Sequence, residues 1–556
     1  MICAVANSLW LGGCLPEAHR FSRATTRVAE EQTELLHRLL RSNADSKFGR
    51  QHGFSTIRDA SEYQARVPAR TYDEYRSWIE LAAAGSRNVL TCEPVPMFEP
   101  TSGSTTANKL VPYTRSLRQE FQRGIRPWIA DLFRHDPGLM AGQSYWSVSP
   151  SVVQGRTSGG IPVGFEDDSC YVGGWQRRLV QAVMAAPAAL RHVSDDERFR
   201  YLTLLALVRC SNLRLVSIWN PTFLSVLVDG LSAWADALAR DLRSTPRRAE
   251  ALRRALRART PGEVHAALWP HLRLISCWTD ANAAAPAAQL ARLFPQARIQ
   301  GKGVIATEGF LSFPLAGRGG GALAVRSHFF EFAPVDSQGQ STECVPRLAH
   351  QLECGGRYAA ILSTGGGLYR YRLQDVIEVV DRLEQCPLIR FVGRQGHVSD
   401  WFGEKLHEVF VAGILRGAFA SFDISPRFAM LACDDALIPA AYVLYVDVAA
   451  SDRSLVLVAR RVEAELRRNF HYDYARRLAQ LGPLRIFRAG GGAEAYLAAA
   501  VKAGQRAGDV KTLALDRRSG WSQILPGDFV DAGNTGTGRT GCVTGSVMAK
   551  RVTIAP

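Results

Sequence analysis

The sequence predicts an α/β protein built from a large N-terminal unit, residues 1–393, with β-sheets flanked by helices, and a small mobile α+β unit, residues 400–516. Three observations carry that prediction. Short apolar β-like runs alternate with helical patterns between about residues 270 and 393, as strands joined by helices do. Gly393-Arg394 opens a polar hinge at 394–399, after which strand and helix patterns restart. A chain of 556 residues is also long enough for two or three packed units rather than one.

Taken in order, the N-terminus reads as an apolar helix that packs Val5, Leu9 and Trp10 on the body. Residues 20–48 read as one helix, with Val28, Leu35, Leu36, Leu39 and Leu40 near helical spacing. Residues 178–260 are rich in Ala, Leu and Arg and read as a second helical region. Leu272–Trp278, Ala322–Val325 and Ile377–Val380 read as strands. In the small unit Phe428–Ala432 and Tyr442–Val446 read as paired strands. A helix with Val458, Val462 and Leu466 on one face follows, then a strand at Leu484–Phe487. From residue 517 the chain turns Gly/Thr/Ser-rich without periodicity, which predicts a flexible tail over 517–556.

The composition, 47% hydrophobic and 21% charged, is that of a globular protein and excludes collagen-like and disulfide-stapled classes. No run of eighteen apolar residues occurs, so no conventional membrane span is predicted. The net charge of +15 comes from dispersed arginine, since only seven of the 67 basic residues are lysine. One cluster, Arg243 to Arg259, reads as a solvated helix face. No nucleic-acid partner is predicted. Eleven cysteines without a C-x-x-C pair fit thiols in a reducing compartment. Leu11-Gly12-Gly13-Cys14 has the look of a lipoprotein cleavage box, but the first basic residue is Arg20. The charged segment of a secretory signal is therefore missing, and a cytoplasmic monomer is expected.

Four stretches carry chemistry. Phe98 to Lys109 includes Thr101-Ser102-Gly103-Ser104-Thr105, hydroxyls and a glycine closed by a lysine, which suits a loop that wraps phosphate oxygens. It lacks the Walker spacing. Gln300 to Gly309 holds Lys302, Thr307 and Glu308 between glycines, a hydroxyl and a carboxylate for a phosphate and its Mg²⁺. Gly365 to Val376 places Asp375 after an alternating Tyr/Arg segment, where an acid can accept ribose hydroxyls. Val392 to Glu408 spans the hinge and includes Arg394, His397, His407 and Glu408. The two histidines match no H-E-x-x-H pattern, so no metal is assigned there. Four of the seven lysines, Lys109, Lys302, Lys405 and Lys511, fall in these or similar stretches.

In this order the four stretches resemble the adenylate-forming enzymes. More closely, with Pro68 to Tyr75, Leu274-Ile275-Ser276-Cys277, Tyr369 to Asp375 and Gly508-Asp509-Val510-Lys511, the chain resembles the acyl acid amido synthetases of the Gretchen Hagen three family. Those enzymes are known from plant auxin and jasmonate conjugation, and they have bacterial relatives. The resemblance spans roughly residues 1–516 and implies an N-terminal adenylate-forming domain. It implies that Ser102, Gly103, Ser104, Thr105 and Lys109 hold ATP phosphates, Thr307 touches the α-phosphate and Glu308 binds Mg²⁺. Thr279 and Asp280, after Trp278, match a loop beside adenine and the acyl group. Asp375 would hold the ribose with Arg394 assisting. Lys511 matches the lysine that bridges carboxylate and α-phosphate. The substrates implied are a carboxylic acid and an amine, an amino acid; the alternatives are an acyl-CoA ligase and a non-catalytic acyl or nucleotide binder. Val304 stands in place of an aromatic residue, Gln374 in place of a glycine, and Thr106 and Asn108 in place of glycine and proline.

Overall fold

The computed structural model describes residues 2–101, 109–147, 155–164, 183–193, 195–336, 341–342, 345–396, 398–503, 505 and 510–530. Helices Ile2–Ala24 and Val28–Asn43 open the chain. The single helix expected over 20–48 is therefore broken, and the Val28 N–H at the break donates to the Gln385 side chain at 3.3 Å. Trp10 is buried against Phe133 and Trp146, with ring centroids at 5.7 and 6.1 Å. Val5 and Leu9 do not pack as expected. They are 56% and 52% exposed on the outer face of the same helix.

Two sheets organise the large unit. The first is parallel, with Gln143–Trp146, Leu213–Ser217, Leu274–Cys277 and Arg298–Gly301 side by side in chain order. Parallel strands need crossover connections, and here these include helices Asp196–Arg209, Pro221–Ala233, Pro246–Ala255 and Ala284–Leu293. The helical region expected over 178–260 is thus interrupted by the strand Leu213–Ser217. A strand covered on both faces reads as a short apolar run, without the alternation that would separate it from helix. Residues 178–182 lie outside the described range.

The second sheet is antiparallel. Its order is Ser312–Pro314, Gly321–Leu323, Cys386–Arg394, Tyr371–Leu383, Arg357–Ser363, Phe329–Pro334 and Arg347–Leu348. Its two longest strands, Tyr371–Leu383 and Cys386–Arg394, run back to back, so that Asp375 sits opposite Arg394. Buried Arg370 anchors the start of that pair. Its guanidinium donates to Glu331 at 3.1 and 3.0 Å and to the Gln64 and Val67 carbonyls at 2.8 and 2.5 Å.

The small unit is a five-stranded mixed sheet. Phe428–Asp434 and Ala441–Asp447 pair antiparallel in the middle, and Leu515–Asp516, Arg485–Ala489 and Gly527–Phe529 complete it. Helices Glu408–Ala420 and Asp452–Leu466 cover one face through Val411, Leu415, Val458, Val462 and Leu466. The other face packs Tyr496, Trp521 and Leu525. The fold therefore continues past residue 516, where the sequence suggests a tail. Trp521 is fully buried, stacked on Tyr496 at 5.2 Å, and Gly527–Phe529 forms the edge strand. A single tryptophan in a polar stretch has no periodicity to announce it. The glycine-rich residues 531–556 lie outside the described range.

Trp521→Ala should destabilise the small unit by about 3–5 kcal/mol, the usual cost of deleting a buried aromatic side chain. Urea denaturation followed by tryptophan fluorescence measures it. A chain ending at residue 516 should lose more.

Candidate active site

The phosphate-loop stretch sits on a hairpin. Met97–Pro100 pairs with Leu110–Tyr113 in register Pro100 to Leu110, and the Thr101 N–H closes the loop by donating to the Lys109 carbonyl at 2.8 Å. Ser102, Gly103, Ser104 and Thr105 lie outside the described residues, as do Thr106 and Asn108. The Lys109 ammonium stands 5.4 Å above the Tyr72 ring, and the Tyr72 hydroxyl accepts from the Leu110 N–H at 2.7 Å. The Pro68 to Tyr75 stretch thus supplies the support under the lysine.

Thr307 and Glu308 form the two-residue turn of a second hairpin, Ile305–Ala306 with Gly309–Phe310. Glu308 is buried and accepts from the Tyr371 hydroxyl at 3.1 Å. Tyr371 leads into the strand bearing Asp375. Asp375 Oδ1 and Arg394 Nε lie 3.4 Å apart, within ion-pair range. Yet both atoms are buried without a hydrogen-bond partner. The distance sets the electrostatics; the missing hydrogen bond leaves an acceptor on Asp375 to be satisfied from outside the pair. Burial by itself lowers the Arg394 pKa, but Asp375, Glu308 and Glu408 outweigh it and hold the guanidinium charged.

The loops after the parallel strands contribute the other wall, where ligands of parallel α/β sheets bind. Trp219 and Trp278 follow adjacent strands with ring centroids 5.9 Å apart. Thr279 is half-buried against Gly301, and the Asp280 carboxylate accepts from the Phe391 N–H at 3.1 Å. Lys511 comes from the small unit. Its ammonium lies 5.1 Å from the Trp278 ring and 5.8 Å from Phe391, and the neighbouring Val510 carbonyl accepts from Asn220 at 2.6 Å. Both units therefore meet at this wall. Lys405, exposed in the loop after residue 399, makes no such ring contact among the described residues.

Glu408 was set aside in the sequence with the hinge histidines, and the structure gives it a place. It is buried at the start of helix Glu408–Ala420 and accepts from the Ala514 N–H at 3.2 Å, three residues past Lys511. Burial pushes its carboxyl up to about 7; the Ala514 N–H, Arg394 and Lys511 oppose that rise and Asp375 adds to it. Only the wording of the hinge stretch could have flagged this residue, because its partners are far away in sequence.

Family models match the chain as the GH3 family N-terminal domain over residues 17–299, the central domain over 321–394 and the C-terminal domain over 424–518. The chain belongs to the GH3 family. A putative indole-3-acetic acid-amido synthetase of Oryza sativa subsp. japonica, GH3.10, is 23% identical over 73% of this chain and 86% of its own. The Arabidopsis thaliana indole-3-acetic acid-amido synthetase GH3.15 is 24% identical over 69% and 71%. The solved GH3.15 acyl acid amido synthetase in complex with 2,4-DB superposes with a TM-score of 0.81 at 19% identity, covering 94% of this chain and 96% of that one.

Two residues at which the family resemblance implies a different side chain have a defined geometry. Gln374 has φ +68°, the left-handed region that glycine enters without strain and other residues enter at a cost. Val304 is buried, with its N–H donating to the Ser312 hydroxyl at 2.9 Å.

The raised Glu408 carboxyl sets a pH window. The folded state keeps the proton that the unfolded chain loses near 4.5, so this group's contribution to stability falls as pH rises from about 4.5 to 7. Glu408→Gln removes that slope. The stability difference between wild type and variant, from urea melts at pH 5 to 8, should change by on the order of 3 kcal/mol and level off above 7.

Proposed function

We propose that this GH3 protein is an ATP-dependent ligase. It activates a carboxylic acid as its acyl-adenylate and passes the acyl group to an amine, an amino acid. The observation that carries this is that Glu308, Asp375, Arg394 and Glu408 form one electrostatic cluster, with Lys511 of the small unit in reach of Glu408 and Lys109 over the Tyr72 ring that faces Glu308. A nucleotide phosphate needs cations from more than one side, and an arrangement split across a hinge supplies them only when the units close.

A carboxylate is a poor electrophile. In the first half-reaction one of its oxygens attacks the α-phosphorus of ATP, and the bond to the pyrophosphate oxygen breaks. Negative charge accumulates on phosphate oxygens, so fixed positive charge supplies most of the catalysis. Lys109 with the Ser102–Thr105 loop takes the β and γ oxygens, and Lys511 lies between the acid and the α-phosphate. The buried, unpartnered Asp375 Oδ1 suits a ribose hydroxyl, and the Arg394 guanidinium lies beside it. Glu308 spends one oxygen on Tyr371 and keeps the other for Mg²⁺, which binds few carboxylates and otherwise takes phosphate and water oxygens. When bound there, Mg²⁺ supplies charge neutralisation for the leaving pyrophosphate. In the second half-reaction the small unit swings about 394–399, withdrawing Lys511 and admitting the amine. The neutral amine attacks the acyl carbon, the bond to the AMP phosphate oxygen breaks and the nitrogen gives up a proton, so that step accelerates with rising pH until another group limits it.

Acid-dependent ATP–pyrophosphate exchange tests the first half-reaction, starting with indole-3-acetic acid, the acid in the relatives' names. Preformed acyl-adenylate offered to an amino-acid panel and to CoA tests the second: an amide is expected, and thioester alone would overturn the acceptor. Lys511→Ala should slow exchange on the order of a hundredfold while ATP affinity stays within a few-fold, because the lysine acts on developing charge. Unchanged exchange would remove Lys511 from the mechanism.

A further inference from the structure

A buried histidine–glutamate pair, His328 and Glu120, stands behind the site, and neither residue has a part in the mechanism above. The Phe310 N–H donates to His328 Nε2 at 2.9 Å. A backbone N–H cannot accept, so the ring proton sits on Nδ1, from which it is donated to Glu120 Oε2 at 2.9 Å. Glu120 also accepts from the Gly365 N–H, at 3.0 and 2.9 Å to its two oxygens. A chain of hydrogen bonds therefore joins Phe310 to Gly365 through the helix Arg115–His135, which carries Glu120.

Each end of that chain is a chemical stretch. Phe310 closes the hairpin whose turn is Thr307-Glu308, and Gly365 opens the segment that leads through Tyr371 to Asp375. The helix itself starts at the foot of the Lys109 hairpin. Thr114, next after the strand Leu110–Tyr113, donates its hydroxyl to the Gly365 carbonyl at 2.9 Å. Packing is close at both ends. A Cβ at Gly365 would lie 2.5 Å from Ser116 Cβ and 2.9 Å from Glu120 Oε1; one at Gly124 would lie 2.2 Å from the Phe310 ring, and one at Gly309 would lie 3.1 Å from His328 Nε2. A hairpin paired over two residues a side holds its own turn weakly, so Glu308 depends on what grips Phe310. An apolar pair in place of His328 and Glu120 would fill the space but strand two buried N–H groups.

We propose that His328 and Glu120 are positioning residues for Mg·ATP: from behind the site they fix the Glu308 turn and the strand of Asp375 relative to one another, His328 holding the metal side and Glu120 the ribose side. This rests on the nucleotide assignments of the ligase reading above. One nucleotide must meet both acids at once, so their separation has to be set by groups that touch both loops. The Tyr371 bond to Glu308 is one such link, and the His328–Glu120 pair is the second. Partners one shell out from a metal ligand fix its orientation and are costly to lose.

The test is ATP binding by calorimetry, with Mg²⁺ and with EDTA, beside ATP–pyrophosphate exchange by the full-length protein. His328→Asn keeps a donor towards Glu120 but leaves the Phe310 N–H without an acceptor. It should weaken Mg·ATP binding on the order of tenfold, while metal-free ATP affinity and the KM for the acid stay within about threefold. His328→Gln, whose amide oxygen reaches the Nε2 position, should recover most of that loss. Glu120→Gln sets an amide N–H against the Gly365 N–H and should weaken ATP on the order of tenfold with or without Mg²⁺. An equal loss with and without Mg²⁺ in His328→Asn, no recovery in His328→Gln, or a matching rise in the acid KM would overturn the proposal. Should His328→Asn not fold, Gly309→Ala, which presses a Cβ on the same Nε2, carries the same expectation. Exchange with no acid at all, by a folded wild type that binds Mg·ATP, would instead overturn the ligase reading, while the binding results still decide the positioning role.

Discussion

The site depends on one buried ion pair. Arg370 and Glu331 are almost fully enclosed, and the Arg370 guanidinium also donates to two carbonyls at the end of the helix Ala60–Arg66. Such a pair is poor evidence of net stability, because desolvation consumes most of what Coulomb attraction supplies. Its value is in registration. Removing either partner leaves a charge in the core, so the strand that begins at Tyr371 has only one low-energy placement. The Arg70 and Arg372 backbones then bond across the same junction, and Tyr75 is bonded to the Tyr369 main chain in both directions. N-terminal helices, central sheet and candidate nucleotide acid are thereby locked as one body.

Registration at Tyr371 propagates. Four residues on is Asp375, and the antiparallel turn-back sets Arg394 opposite it. The chain leaves the sheet at Arg394, so the arginine opposite Asp375 is also the last residue of the central sheet before the small unit. Glu408, just beyond the hinge, completes the electrostatic circuit: it senses Arg394 and Asp375 on one side and Lys511 on the other. Glu408 of the small unit thus lies within electrostatic reach of Asp375 and Arg394 of the large one. Gln374 in the left-handed region is in keeping with a strand bent at this point, since strained residues gather where function dictates the path.

Legibility in the sequence followed sequence distance. Tyr369 to Asp375, the Thr307-Glu308 turn and the Lys109 loop stem are local wordings, and each appears in the structure as a compact local device. The strands Leu274–Cys277 and Phe428–Asp434 were legible for the same reason. What escaped was created by contact between distant segments. Leu213–Ser217 is a strand because neighbours cover both its faces. Residues 517–530 are structured because Trp521 finds Tyr496 and Phe529 finds Arg485–Ala489. Glu408 matters because Ala514 reaches it. The exposed Val5 and Leu9 are the converse, apolar residues for which no distant segment supplies a cover.

The scarcity of lysine acquires a physical meaning in the same terms. Three of the lysines in the chemical stretches, Lys109, Lys302 and Lys511, each stand over an aromatic face: Tyr72, a group of three tryptophans, and Trp278 with Phe391. A ring attracts the ammonium through its quadrupole and fixes its position without using a carboxylate. A carboxylate would neutralise the charge that a phosphate or acid substrate is meant to meet, whereas a ring leaves the charge in place. Arginine would stack flat on the same ring and present its donors edgewise in a rigid fork, whereas an ammonium points three donors outward on a flexible stem. Lys405, exposed and with no ring beneath it among the described residues, shows that lysine alone does not mark the device. In a chain that uses arginine almost everywhere else, a lysine on an aromatic face holds a compact positive charge in a fixed place.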